Sequence, residues 1–319
     1  MTQMDTTPTV SNEPVAARTV RASRPATRDD VVVTGRLLRI ARIPESQEDY
    51  LDVAEPKALI DELRHDPASP DIFTFWQRLP DSEPKFAYPY EWDNVAALRV
   101  STFESWTKEQ VHPSVRTKLR KAQKLGLSVD LAEFNDELIR GIAEIFNETP
   151  IRQGRPYEHY GKSLEQIERE WSADASSSVF VAARFRNELI GFVKLTSTER
   201  YSEMSGTICK LAHRDKPAMS ALIARSVQYC EEMGIPWLTY GRYHYGRKGD
   251  DSLSDFKKYN GFRKVSLPRY YVPLSARGRL ALRLGLQHRL VDRLPPRIVQ
   301  ALIQLRAHYY SRRLKRQPR

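Results

Sequence analysis

The sequence predicts a mixed α/β fold, and three observations carry that prediction. From Asp136 onward the hydrophobic periods run helix, helix, strand, strand, strand, helix, strand, helix, strand, an order foreign to an all-helical bundle or a sandwich. At 319 residues the chain is long enough for about two ordinary domains and a sizeable core. Its 40% hydrophobic and 29% charged side chains are the balance of a globular protein, not a disordered or fibrous one.

Taken in order, residues 1–30 are rich in Thr, Ser, Pro, Ala and Arg and read as a disordered tail. Order is expected from Val31, with residues 36–43 partly alternating as a half-buried strand. Pro56 suits the first turn of a helix running through Leu63. Residues 71–90, dense in Pro and aromatics, read as an ordered excursion, and 95–102 as a strand. Ser114 is a good N-cap for a basic helix over 115–124 that Gly126 closes. Strands are expected at 127–131, 179–183, 189–196, 204–211, 235–240 and 262–272, and helices at 136–147, 163–171, 217–233 and 252–259. Arg186, Asn187 and Glu188 make a hairpin signal between two of the strands. These spans divide the chain into a tail (1–30), an N-terminal α/β segment read as a reduced second lobe (31–128), a main domain (129–275) and a basic helical tail (276–319).

Charge is localised. The net charge is +11, and residues 276–319 hold twelve Lys and Arg against the single acid Asp292, which accounts for all of it. A neutral body therefore carries a basic appendage, a different arrangement from a nucleic-acid-binding domain that is basic throughout. In that appendage Leu280, Leu282, Leu284, Leu286 and Leu290 alternate with arginines, and a second helix is expected over 297–310. Each Lys or Arg near an anionic leaflet gains about 1 kcal/mol, so the segment is expected to bring a cytoplasmic protein to the inner membrane face. No apolar run approaches the roughly 20 residues of a spanning helix, and no secretory signal is read at the start. Two cysteines, Cys209 and Cys230, exclude a disulfide framework, and no metal site is expected from the histidine spacing.

Two segments resemble a known family. Ser252, Leu253, Phe256, Lys257, Gly261 and Phe262 match the S-L-x-x-F-K-x-x-x-G-F run of Fem-type peptidyltransferases and their relatives in the GNAT acyltransferase superfamily. Arg116, Arg120, Lys121, Ala122, Lys124 and Gly126 resemble the R-x-x-x-R-K-A-x-K-x-G helix of the same proteins. The resemblance covers roughly residues 95–275 and implies a GNAT-like mixed sheet flanked by helices. It also implies transfer of an acyl or aminoacyl group from a thioester or ester donor to an amine, with acyl-CoA as the co-substrate and a small-molecule or lipid-linked acceptor. Envelope or polysaccharide chemistry in a bacterium follows by the same analogy. The sequence departs from the GNAT pattern at the donor loop, where Pro217 and Met219 replace Gly and a small residue, and at Lys257, which stands where many GNAT enzymes have an acid Tyr. The alternatives are a noncatalytic protein of the same fold and a transferase that uses aminoacyl-tRNA.

The candidate site residues follow. Arg214, Lys216, Met219 and Ser220 lie at the start of a helix whose free N–H groups attract anions, so they are expected at the donor phosphates, with Lys257 along the cleft. Glu148 leaves a helix into a loop with Arg152, Gln153 and Arg155, an acceptor pocket with Glu148 as the base and the arginines on an anionic group. A packing role for this loop is the alternative. His159 is a catalytic candidate within an aromatic cluster. Tyr240, Arg242 and Tyr245 follow a strand end, where α/β sheets present ligand-binding groups, with Tyr240 and Arg242 expected on the substrate and Tyr245 as a further catalytic candidate. Lys194 and Lys210 interrupt apolar strands, either entering a cleft or snorkelling from a sheet face.

Overall fold

The computed structural model describes residues 20–21, 23–44, 51–152, 154–172, 178–245, 251–287 and 310. The first half contributes β1 (Val32–Thr34), β2 (Ile40–Arg42), helix α1 (Pro56–Arg64), β3 (Ile72–Trp76), β4 (Tyr90–Arg99) and α2 (Pro113–Lys124). The second half contributes β5 (Ser128–Ala132), α3 (Asp136–Phe146), α4 (Leu164–Ser172), β6 (Ser178–Phe185), β7 (Glu188–Thr198) and β8 (Ser202–Cys209). There follow α5 (Ala218–Glu232), β9 (Trp237–Thr239), α6 (Ser252–Tyr259), β10 (Arg263–Pro273) and α7 (Ala276–Arg283).

All ten strands join one sheet in the order β1-β2-β3-β10-β4-β9-β8-β7-β6-β5, with Val20–Arg21 added in parallel at the end of β7. The β6–β7 hairpin is the core of the second half. Its turn residues Arg186 and Asn187 both sit at positive φ, the backbone a tight hairpin needs. Alternation sends Val179, Val181 and Ala183 to one face, where they meet Leu222, Ile223 and Val227 of α5. Phe180 and Ala182 go to the other face, against Leu138, Ile142 and Phe146 of α3. Both faces are therefore covered, as the near-continuous burial of β6 and β7 requires.

Two neighbours, β8 and β9, run parallel, and their pairing is confined to Ser202 with Leu238 and Glu203 with Thr239. Beyond Glu203 the two chains diverge. Residues 206–209 of β8 stay paired to β7 on one side, after a bulge at Ser205, and no strand among the described residues pairs with their other edge. On its far side β9 runs antiparallel to β4, which β10 joins to β3. A separate cluster of Phe73, Phe75, Leu59, Leu63 and Tyr270 forms the core of the N-terminal segment on this shared sheet.

Four sequence expectations change. Ordered elements precede Val31: Arg24–Pro25 pairs with Leu51–Asp52 and Arg28–Asp30 forms a 3-10 turn, while residues 1–19 lie outside the described residues. The excursion 71–90 opens with a full strand, β3, whose run of five apolar or Thr side chains lacks the alternation that marks a half-buried strand. The cap of α2 is His112, whose Nδ1 accepts the Ser114 N–H, and Phe103–Ser105 with the π-helical turn Trp106–Gln110 precede it. Leu211 ends not in a strand but in the 3-10 turn Leu211–His213. The helix expected over 297–310 lies outside the described residues save Tyr310.

Candidate functional site at the divergence of two parallel strands

The S-L-x-x-F-K-x-x-x-G-F run has a physical reading. Asp251 caps α6 by accepting the N–H groups of Leu253 and Ser254. Phe256 packs on the main core, Gly261 turns the chain at φ +90°, which a side chain resists, and Phe262 is buried beneath Tyr240. This arrangement points Lys257 inward. It is 0% exposed, its Nζ donates to the carbonyl of Arg242 at 2.6 Å, and it lies 4.6 Å and 5.2 Å from the ring centres of Tyr240 and Tyr245. Burial pushes its pKa down to about 8, partly offset by the negative charges of Glu203 and Asp251.

Glu203, the last residue of β8 paired to β9, faces Lys257. Its carboxylate accepts the Thr239 hydroxyl and the Gly241 N–H, the latter at 2.8 Å. After β9 the chain is held to β4 by hydrogen bonds. The Tyr240 N–H donates to the Ala96 carbonyl and the Ala96 N–H to the Gly241 carbonyl; the His244 N–H donates to Asn94 Oδ1 at 2.7 Å. Gly241, at φ +54°, lies against the Tyr245 hydroxyl, which a Cβ would approach to 2.7 Å. Burial raises the Tyr240 pKa to about 12 and raises that of Tyr245. The result is a half-buried carboxylate, a buried amine and two tyrosines at the mouth of an opened parallel pair. Glu203 escaped sequence reading because an isolated Glu in a strand carries no motif.

The other sequence candidates fall elsewhere. Glu148 accepts the N–H groups of Leu211 and Ala212, each at 2.7 Å, and pairs with Arg152 at 2.9 Å. Arg152 also donates to the carbonyls of Cys209 and Ile145 and lies 5.1 Å from the Tyr157 ring centre. These two residues brace the end of β8, the packing alternative for this loop. Arg155 is exposed on a two-residue strand, and Gln153 lies outside the described residues. His159 stacks on Phe146 at 4.5 Å within the Tyr157 and Trp171 cluster, and burial lowers its pKa. Arg242 pairs with Asp93 at 2.9 Å. Lys210 pairs with Glu144 and Glu188, and Lys194 lies 5.5 Å from the Trp171 ring centre.

A basic surface surrounds the start of α5. Met219 is half-buried and Ser220 buried there, and Arg214 is exposed. Lys216 lies 4.7 Å from the Phe185 ring centre, and Arg186 lies 5.2 Å from the same ring. Lys121 of α2 donates to the Asp215 carbonyl at 3.0 Å. An open cavity of about 510 Å³ adjoins, lined by Lys124, Ser128, Arg184, Phe185, Arg186 and Asn187. Such a surface suits phosphate groups. Among the described residues no three His, Cys, Asp or Glu side chains gather to hold a metal ion, and no helix is long and apolar enough to cross a membrane.

This architecture has counterparts. The L-PGS structure from Bacillus licheniformis aligns at a TM-score of 0.54 and 13% identity over 81% of this chain and 86% of that one. The C-terminal domain of a putative lysylphosphatidylglycerol synthetase from Agrobacterium fabrum aligns at 0.52 and 15%, over 79% and 83%. FemX aligns at 0.54 and 11%, over 79% and 85%. The chain has a GNAT/Fem-like fold. At these identities the likeness is one of fold. No protein-family model and no curated protein matches the sequence.

Proposed function

We infer that the chain transfers an acyl or aminoacyl group from a thioester or ester donor to an amine at the mouth of the β8–β9 divergence. The observation that supports this reading is the facing pair of Glu203 and the buried Lys257 beside an unpaired stretch of β8. Strand N–H groups of that edge serve to polarise a donor carbonyl, and the Lys257 ammonium stabilises the charge that develops on its oxygen. The amine nitrogen bonds to the carbonyl carbon as the C–S or C–O bond breaks. Glu203 takes the proton lost from nitrogen, and the departing thiol or hydroxyl takes a proton in turn. Proximity supplies much of the rate, since the rigid sheet fixes both reactants.

The test is turnover with a panel of donors: acetyl-CoA, long-chain acyl-CoA, an acyl-carrier thioester and aminoacyl-tRNA, each with mixed amine acceptors. Released thiol or deacylated tRNA is the readout. Glu203→Gln is expected to lower the rate about 10²–10⁴-fold. Absence of both turnover and calorimetric binding with every donor would sink the reading and leave a noncatalytic protein of this fold.

Among donors, the basic surface favours aminoacyl-tRNA over acyl-CoA. Lys121, Lys124, Arg186 and Arg214 lie around the start of α5 and the open cavity beside it, with Lys216 paired to Asp215 and Arg184 to Glu137, and Pro217 removes an N–H that a pyrophosphate would use. Binding of tRNA is expected to weaken steeply with salt as phosphates are neutralised and counterions released. Flat salt dependence, or preference for coenzyme A in competition, would point back to the thioester.

A further inference from the structure

Helix α7 follows directly on β10. Its N-cap Ser275 accepts the Gly278 N–H, and the Ser275 hydroxyl donates to Asp71 at 2.7 Å. Gly278 and Ala281 face inward, and a Cβ at Gly278 would overlap the Asp71 carbonyl oxygen, so the helix lies hard on β3. The outward face is unusual for a helix so closely seated. Leu280 on the helix, Leu284 at its C-cap and Leu286 in the turn just beyond are 57%, 57% and 48% exposed. Arg277, Arg279 and Arg283 are exposed beside them, and residues 276–287 contain no acidic side chain.

We propose that this face of α7 docks on an anionic lipid surface. The leucines match the acyl boundary and the flanking arginines the headgroups, the pairing found in helices that lie in the membrane plane. Charge complementarity extends beyond the helix, because residues 288–319 carry nine further Lys and Arg against Asp292 alone. The segment also connects to the candidate site. Gln287 donates to Glu91 of β4 at 2.9 Å, and two residues on, Asp93 holds both Arg242 and Arg269. Gln287 and Arg242 are thus tied to the same strand, β4, through Glu91 and Asp93. The docking itself does not rest on the transfer reading and is tested without donor or acceptor.

The experiment is cosedimentation of the full chain with phosphatidylcholine vesicles containing graded phosphatidylglycerol, at low and high salt. Binding is expected to rise with anionic content and fall with salt. Substituting Leu280→Gln, Leu284→Gln and Leu286→Gln together is expected to weaken binding about tenfold or more. Arg277→Gln, Arg279→Gln and Arg283→Gln together should weaken binding to phosphatidylglycerol-containing vesicles, leaving the residual dependence carried by the nine basic residues beyond. These side chains are exposed, so the melting temperature should hold. The single change Leu284→Ser serves as the test if the triple variant does not fold. No binding by the full chain at low salt, or equal binding by the leucine variant, would overturn the proposal. Concentration-dependent dimerisation of the lipid-free chain, lost in that variant, would assign the face to a second copy and overturn it as well.

Discussion

At the residue scale, Lys257 decides most. Its pKa falls to about 8 because burial disfavours the ammonium. A lysine whose folded pKa lies below its unfolded value near 10.4 carries a penalty that is complete below about pH 8. The penalty recedes as pH rises from there toward the unfolded value, where the unfolded chain still binds the extra proton. Lys257→Met is thus expected to melt higher than the wild type at pH 7, by a margin that shrinks at pH 9.5. A margin independent of pH would mean that the amine is not the group responsible. In turnover the wild type is expected to slow above about pH 8, because the ammonium is the form that stabilises charge, and the same variant is expected to lack that fall. Gly241 offers a complementary probe. An added Cβ meets the Tyr245 hydroxyl at 2.7 Å on a backbone at φ +54°, so Gly241→Ala should displace Tyr245 and lower activity while leaving the bulk fold intact. Unchanged kinetics with an unchanged melting temperature would remove Tyr245 from the site.

At the scale of elements, the brace at the end of β8 makes a separable prediction. Glu148 satisfies two N–H groups of the 3-10 turn and pairs with Arg152, which in turn caps the carbonyls of Ile145 and Cys209. Glu148→Ala should cost about 1–3 kcal/mol, measured by denaturant titration, through donors left without their acceptor. If stability holds and only the rate falls, Glu148 acts in the chemistry after all. This loop shows where sequence reading reached its limit. Helices α1, α3, α5 and α6 were legible because their apolar stripes and end residues agree, and the β6–β7 hairpin because its turn carries the right residues. β3 was not, since a buried strand has no alternation to read, and neither was the cap of α2, since a histidine acceptor is rarely an N-cap. For the site, the motif brought Lys257 and the strand end brought Tyr240 and Tyr245 into view. Glu203 became visible only once the sheet set it opposite Lys257, because its role depends on two residues of parallel pairing that no local pattern encodes.

At the scale of the whole molecule, the last strand binds the halves together. β10 enters between β3 and β4, so the N-terminal segment completes its sheet only with a strand more than 130 residues beyond it, Arg263–Pro273. The Tyr270 side chain on that strand stacks on Phe75 at 5.0 Å, and its hydroxyl donates to Gln77 Oε1 while accepting the N–H groups of Lys85 and Phe86. Removing β10 exposes Phe73 and Phe75 and leaves the inner edges of β3 and β4 unpaired, a template for aggregation. The segment 31–128 is therefore expected to be insoluble or unfolded on its own. In the full chain it should melt together with the sheet around the candidate site in one transition, because neither half has a boundary where few contacts cross. Calorimetry of the full chain checks this. Two resolved transitions, or a soluble and cooperatively folded 31–128 fragment, would show that the shared strand does not couple the halves. A single transition carries a consequence for the site: substitutions at Tyr270, remote from Lys257, should lower activity only in step with global stability.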